Sequence, residues 1–416
     1  MTSRVRQIRS RRSTALRCAA PLVTLALAAT GCGASVTPGR IGDSPRSPTT
    51  SDAPPAAAST PSPTQAATCT DRYFSGMTTA QRVGQLLMGG ISAAHPDQAQ
   101  LRTLRDNHVG AIMLTGRSTA GTAATRKTVD GFRGQADQVG GRRVGLLVST
   151  DQEGGQVQVL NGPGFSAIPN GLTQGSWPTA TLRSQAAGWA KQLKAAGVDL
   201  NLAPVADVVP AALGTRNMPI GSFKREYGHT PETVTSHSGA FAAGFAQSGV
   251  MTTLKHFPGL GQVIGNTDTT ADVVDSVTTA SSSSLEPFRA GIQSGSPFVM
   301  VSSATYTKID LKHLAAFSPT VIGQLLRGKL GFKGVVISDD IGNAVAVRSF
   351  SPAQRAVNFI AAGGNMILTV RPSTVPAMTQ AIEARMRQDA SFRAKVDDSV
   401  RRILAAKQSA GLLDCH

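Results

Sequence analysis

Aromatic side chains make up only 5% of the 416 residues and charged ones only 16%. So few aromatics leave little for stacking bases, which argues against a nucleic-acid partner even though 41 Lys and Arg stand against 25 Asp and Glu. That basic excess is dispersed; six arginines (Arg4, Arg6, Arg9, Arg11, Arg12 and Arg17) lie in the first 31 residues, which hold no acid. No phosphate loop, dinucleotide glycine fingerprint or paired Cys/His metal spacing occurs. The chemistry is therefore expected from side chains, with no metal and no cofactor. After the leader no apolar run is long enough to span a bilayer.

The N-terminus has the layout of an export signal: basic residues, the apolar stretch 19–29, then Ala29-Thr30-Gly31-Cys32. A Cys directly after Thr-Gly resembles a bacterial lipobox. Residues 1–31 are thus expected to be a lipoprotein signal peptide and Cys32 to carry lipid on the outer face of the cell membrane; plain secretion is the alternative. Residues 32–70, rich in Ser, Thr, Pro and Ala, cannot bury enough apolar surface to offset their ordering entropy and read as a disordered tether. Cys18 leaves with the signal, so Cys69 and Cys415 remain, bracketing the folded region 71–416. In an oxidising compartment they can pair, or stay as two free thiols.

Eight short apolar runs follow, at 85–92, 109–114, 144–150, 198–204, 249–254, 298–303, 334–338 and 366–370. Helix-like segments lie between them, including 180–196, 231–248, 319–330, 352–362 and 375–387, several opened by Ser-Pro or Thr-Pro. Alternation of this kind predicts an α/β fold with a single TIM-like (β/α)₈ barrel; an open doubly wound sheet is the alternative. A barrel gathers its chemistry at the C-terminal ends of the strands. Polar groups stand there: Asp151 after the third run, Asn201 and Asp207 at the fourth, Lys255-His256 at the fifth, Ser302-Ser303 at the sixth and Ser338-Asp339-Asp340 at the seventh.

Metal-free cleavage of a glycosidic bond needs one carboxylate to meet the oxocarbenium-like transition state and one acid to protonate the leaving oxygen. Asp339, placed directly after a buried run, is the first candidate, and Asp340 is the better candidate for a cap. The run Lys255-His256-Phe257-Pro258-Gly259-Leu260-Gly261 resembles the KHFPGxG signature of glycoside hydrolase family 3, in its bacterial β-N-acetylglucosaminidase type. Asp151-Gln152-Glu153-Gly154-Gly155, Asn201-Leu202-Ala203-Pro204-Val205 with Asp207, and Ser338-Asp339-Asp340 follow the same family order, over roughly residues 72 to 412. The resemblance implies that Asp339 is a nucleophile forming a covalent glycosyl-enzyme. It also implies that Asp151, Arg225, Lys255 and His256 bind the hydroxyls of a terminal sugar. Arg225 matches the arginine of the family's GxRSFG stretch.

The pattern breaks where the family carries Asp-x-His as acid/base. Those positions hold Asn266 and Asp268, and no histidine occurs between His256 and His313. The expectation is a carboxylate replacing the imidazole: Asp268 as acid/base, Asn266 as its positioner, with Asp272 and Asp275 in reserve, on a mobile Thr/Ser-rich loop. An Asp serves this role only if burial and the neighbouring nucleophile raise its pKa. Val159 stands where the family has a ligand-contacting arginine. The function implied is a retaining exo-β-N-acetylglucosaminidase acting on peptidoglycan fragments or related glycans. Hydrolysis of another β-glycoside, or sugar binding without turnover, is the alternative.

Overall fold

The computed structural model describes residues 68–415. The leader, Cys32 and the expected tether up to residue 67 lie outside the described residues. The folded region begins slightly earlier than expected, since Thr68 caps helix α1 (Cys69–Gly76) by accepting from the Asp71 amide.

Eight parallel strands form the centre: β1 (Leu87–Ser92), β2 (Ala111–Thr115), β3 (Leu147–Thr150), β4 (Leu200–Asn201), β5 (Met251–Phe257), β6 (Phe298–Val301), β7 (Val335–Ser338) and β8 (Ile367–Thr369). From β1 to β7 each pairs parallel with the next, with one register shift between β5 and β6, and β1 also pairs with β8. The ring closes through the bridge between Ile337 and Met366, backed by the Ser338 amide donating to the Met366 carbonyl. This is the barrel rather than the open sheet. Strands covered on both faces tolerate no polar alternation, which is why β6 and β7 are buried throughout.

The outer ring comprises α2 (Thr79–Gln85), which precedes β1, then α3 (Gln98–Asp106), α4 (Gly121–Arg133), α5 (Thr179–Ala195), α6 (Pro231–Ala246), α7 (Glu286–Gln293), the wide-turned π-helix Thr320–Lys329, α8 (Pro352–Ala361), α9 (Val375–Gln388) and α10 (Ala390–Ser409). The Ser-Pro and Thr-Pro signals act as expected. Thr230 accepts from the Thr233 amide, and Ser351 forms a reciprocal capping box with Gln354. The segment 319–330 departs from the α-helical expectation by winding as a π-helix.

Some strands differ in extent from their runs. Gln85 ends α2 instead of opening β1, and the fifth strand continues to Phe257, placing Lys255 and His256 inside the ladder. Cys69 and Cys415 are disulfide-bonded, tying α1 to the segment after α10 across 346 residues of sequence. Disulfides typically stabilise a fold by about 2–4 kcal/mol, mainly by constraining the unfolded chain.

At the base of the barrel Lys407 of α10 is fully buried, its ammonium donating to Gln85 Oε1 at 2.6 Å. Burial pushes its pKa down to about 7, although Asp137 and Asp199 draw it upward. The unfolded chain then binds more protons than the folded one between about pH 7 and 10, so this lysine makes stability rise with pH across that window. Lys407→Met is expected to raise the melting temperature, with the gain over the parent largest below pH 7 and shrinking toward pH 10. A gain independent of pH, measured by calorimetry, contradicts this.

Candidate active site

At the C-terminal mouth the ends of β3, β5 and β7 and the segment after β4 bring polar groups into one pocket of about 440 Å³, within the roughly 300–1,000 Å³ common for small-ligand sites, while Asn201 and Asp207 at the end of β4 stand behind it. Asp151, Arg225, Lys255, His256, Asn266, Asp268 and Asp339 all line it. These are the seven residues singled out from sequence as catalytic or sugar-binding. Met113, Phe223, Leu260 and Leu368 contribute apolar wall.

One side is a buried ionic cluster. Lys255 Nζ lies 2.6 Å from Asp151 Oδ1 and 2.5 Å from Glu153 Oε1. Arg225 grips Glu153 with both its Nε (2.9 Å) and Nη2 (2.7 Å), the planar fork matching the carboxylate. Burial works to raise the Glu153 pKa, but Arg225 and Lys255 outweigh it and hold the carboxyl at about 2. The Lys255 ammonium is itself desolvated, yet Asp151 and Glu153 draw its pKa above the usual lysine value. The cluster therefore stays charged, offering fixed donors and acceptors to hydroxyl groups.

His256 is oriented from behind. Its Nδ1 donates to Asp207 Oδ2 at 2.7 Å, which leaves Nε2 to accept from Arg225 Nη2 at 3.3 Å; this tautomer is assigned from the hydrogen-bond network. The other oxygen of Asp207 accepts from the His256 and Leu260 amides. Such close meshing of the loops after β4 and β5 requires glycine: a Cβ at Gly261 would sit 1.8 Å from the Val208 carbonyl oxygen. Asn201 exchanges two 3.0 Å hydrogen bonds with the Gln152 backbone, fixing the turn that carries Asp151.

Three further acids, Asp268, Asp339 and Asp340, line the pocket. Asp339 follows β7, its amide donating to Val301 in the strand ladder. Asp340 takes the capping role, accepting from the amides of Gly342, Asn343 and Val370. Asp268 comes from the loop after β5, and the Asn266 side chain accepts its amide at 2.9 Å, so Asn266 positions it through the backbone. Burial, and then the like charge of Asp339, raise the Asp268 pKa to about 6, although Arg225 pulls the other way.

The loop is docked rather than loose. The Val345 and Ala346 amides donate to the Asp268 and Thr267 carbonyls, and Thr267 is buried, which holds Asp268 at the pocket lining. Asp272 lies on another recess, beside Lys312 and His313, and buried Asp275 is spent on the Val277 and Thr278 amides and the Thr278 hydroxyl. Val159 is buried, its amide donating to Asp151, and does not line the pocket. Sequence reasoning gave no role to Glu153, although it lies inside the Asp-Gln-Glu-Gly-Gly motif. It also passed over Phe223, which has no motif to mark it.

Residues 78–406 match the model of the glycosyl hydrolase family 3 N-terminal domain. A β-hexosaminidase of Xylella fastidiosa (strain M23) is 33% identical over 316 residues, covering 74% of this chain and 90% of that protein. The crystal structure of a β-N-acetylhexosaminidase from Beutenbergia cavernae is 50% identical with a TM-score of 0.78, covering 80% of this chain and 99% of that one. LpqI of M. tuberculosis is 25% identical with a TM-score of 0.68, covering 80% and 94%.

A carboxyl whose folded pKa exceeds its unfolded value binds extra protons when folded, so its contribution to stability falls as pH rises from about 4 to 6. Asp268→Asn is expected to melt above the parent at pH 7 and to lose that advantage near pH 4. A variant no more stable at pH 7 shows that the carboxyl is not destabilised there.

Proposed function

The chain belongs to glycosyl hydrolase family 3, and from that membership we propose that it is a retaining exo-β-N-acetylglucosaminidase. The observation that carries the assignment is the pairing of Asp339 with an Asp268 that holds its proton to about pH 6, in one pocket with a hydroxyl-binding cluster. In the first step Asp339 attacks the anomeric carbon while Asp268 gives its proton to the departing glycosidic oxygen. The products are a covalent glycosyl-enzyme and a free alcohol. In the second, Asp268, now ionised, takes a proton from water, whose oxygen displaces Asp339. Two inversions give net retention.

Lys255 and Arg225 supply donors, and Asp151 and the His256 Nε2 acceptors, for the hydroxyls of the terminal ring. This polar wall favours a chain end over an internal unit. Peptidoglycan fragments fit the proposed export to the cell envelope. The leader and Cys32 are read as a signal and a lipid anchor to the outer face of the membrane, and the Cys69–Cys415 disulfide supports an oxidising location. Cys32→Ala is expected to move the protein from the membrane fraction to the medium of the native host; unchanged fractionation contradicts the anchor.

Turnover of 4-nitrophenyl N-acetyl-β-glucosaminide, beside the corresponding β-glucoside, tests the activity. The acetamido sugar is expected to be the better substrate. Asp339→Ala should abolish turnover, and Asp268→Ala should slow it roughly 10²–10⁴-fold, least where the leaving group needs little protonation. Cleavage of neither sugar, although the sugar still binds, reclassifies the protein as a binding lipoprotein.

A carboxylate base also repels an anionic acceptor at the second step. Added phosphate should leave rate and products unchanged, and sugar 1-phosphate as a major product defeats that account.

A further inference from the structure

The sugar pocket has a neighbour. Asn343 and Val370 at its edge also line a second recess of about 410 Å³, so the two spaces meet at these two residues. The second recess lies between the loop after β8, residues 370–373, and the first turns of α3, where Gln100 and Thr103 face it.

The loop that forms it is bound to the catalytic one. Asp340 accepts from the Val370 amide with one oxygen and from the Asn343 amide with the other, at 3.0 and 3.2 Å. The Arg371 Nη2 then donates to Asn343 Oδ1 at 2.5 Å. Among the described residues no carboxylate lies within ion-pair distance of Arg371. The recess contains one acid, Asp97, whose Oδ1 accepts from the Ala99 and Gln100 amides as the cap of α3. A guanidinium is thus aimed by a side-chain hydrogen bond, exposed, and unneutralised, one loop away from the nucleophile.

The reaction places the rest of the substrate outside the sugar pocket, because the bond to be cut joins the ring at Asp339 to a leaving group that must extend beyond it. We propose that the second recess receives this leaving portion and that Arg371, steered by Asn343, binds a carboxylate on it. The proposal rests on the glycosidase reading. Guanidinium and carboxylate are both planar and pair through two parallel hydrogen bonds, whereas a neutral sugar offers Arg371 only hydroxyls. Arg371 is therefore a specificity residue for acidic aglycones, and the bond-making steps at Asp339 and Asp268 do not involve it.

The test uses two disaccharides that differ in one group. Both carry a terminal β-1,4-linked N-acetylglucosamine; the second ring is N-acetylglucosamine in one and the same ring bearing an O-linked lactate in the other. The parent should prefer the lactate-bearing disaccharide in kcat/KM, and the preference should shrink with added salt. In Arg371→Ala the ratio should fall roughly three- to tenfold, as expected for a partly exposed charge pair, and Arg371→Lys should restore part of it. A misfolded or distorted variant lowers both substrates together and leaves the ratio intact, so the ratio reports Arg371 itself. A parent that cleaves both disaccharides with a ratio unmoved by Arg371→Ala overturns the proposal alone. A parent that cleaves neither removes the glycosidase reading and this subsite with it.

Discussion

The ammonium of Lys255 is buried at the end of β5, and an isolated charge there would cost several kcal/mol in lost hydration. Only Asp151 and Glu153, both within 2.6 Å, make the position tenable, and Arg225 in turn neutralises Glu153. This cluster draws together the ends of β3 and β5 and the loop before α6. Removing one partner of such a set typically costs about 3–5 kcal/mol, because the others are left buried and unpaired. The energy stored in that arrangement is of use to the site. Donors and acceptors that already satisfy one another can exchange partners with a sugar's hydroxyls without reorganising.

The same burial has the opposite consequence across the pocket. Among the described residues no cation forms an ion pair with Asp268, so desolvation and the charge of Asp339 prevail over the pull of Arg225 and raise its pKa to about 6. In the proposed mechanism the two carboxyls take different roles, Asp339 attacking and Asp268 donating its proton. An imidazole reaches a similar pKa without help from burial, since its ordinary value is about 6.5. A carboxyl reaches it only if the loop stays closed over it, which gives physical meaning to the bonds from Val345 and Ala346 to that loop.

Much of this was legible in the sequence. Alternating apolar runs and helical segments specify the barrel because strands covered on both faces must be apolar and their connections helical. The site residues were readable because a barrel places strand-end polar groups at one mouth, and because Lys255 to Gly261 and Asp339 stand in recognisable runs. What could not be read was tertiary. The Thr/Ser composition of the loop around Asp268 says nothing of its backbone bonds to residues almost eighty positions away. The π-helical winding of Thr320–Lys329 has no signature in its spacing. Arg371 is one of many arginines until the fold sets it beside Asn343.

The central claim is that Asp268 is the acid/base of a double displacement on Asp339, and azide rescue of Asp268→Ala tests it most directly. Removing the carboxylate opens space and takes away the negative charge that excludes anions, so azide can attack the glycosyl-enzyme where water no longer can unaided. The account predicts that turnover of 4-nitrophenyl N-acetyl-β-glucosaminide by Asp268→Ala rises with azide concentration and yields the β-glycosyl azide, while the parent is unaffected. No rescue, or an azide product of α configuration, contradicts it.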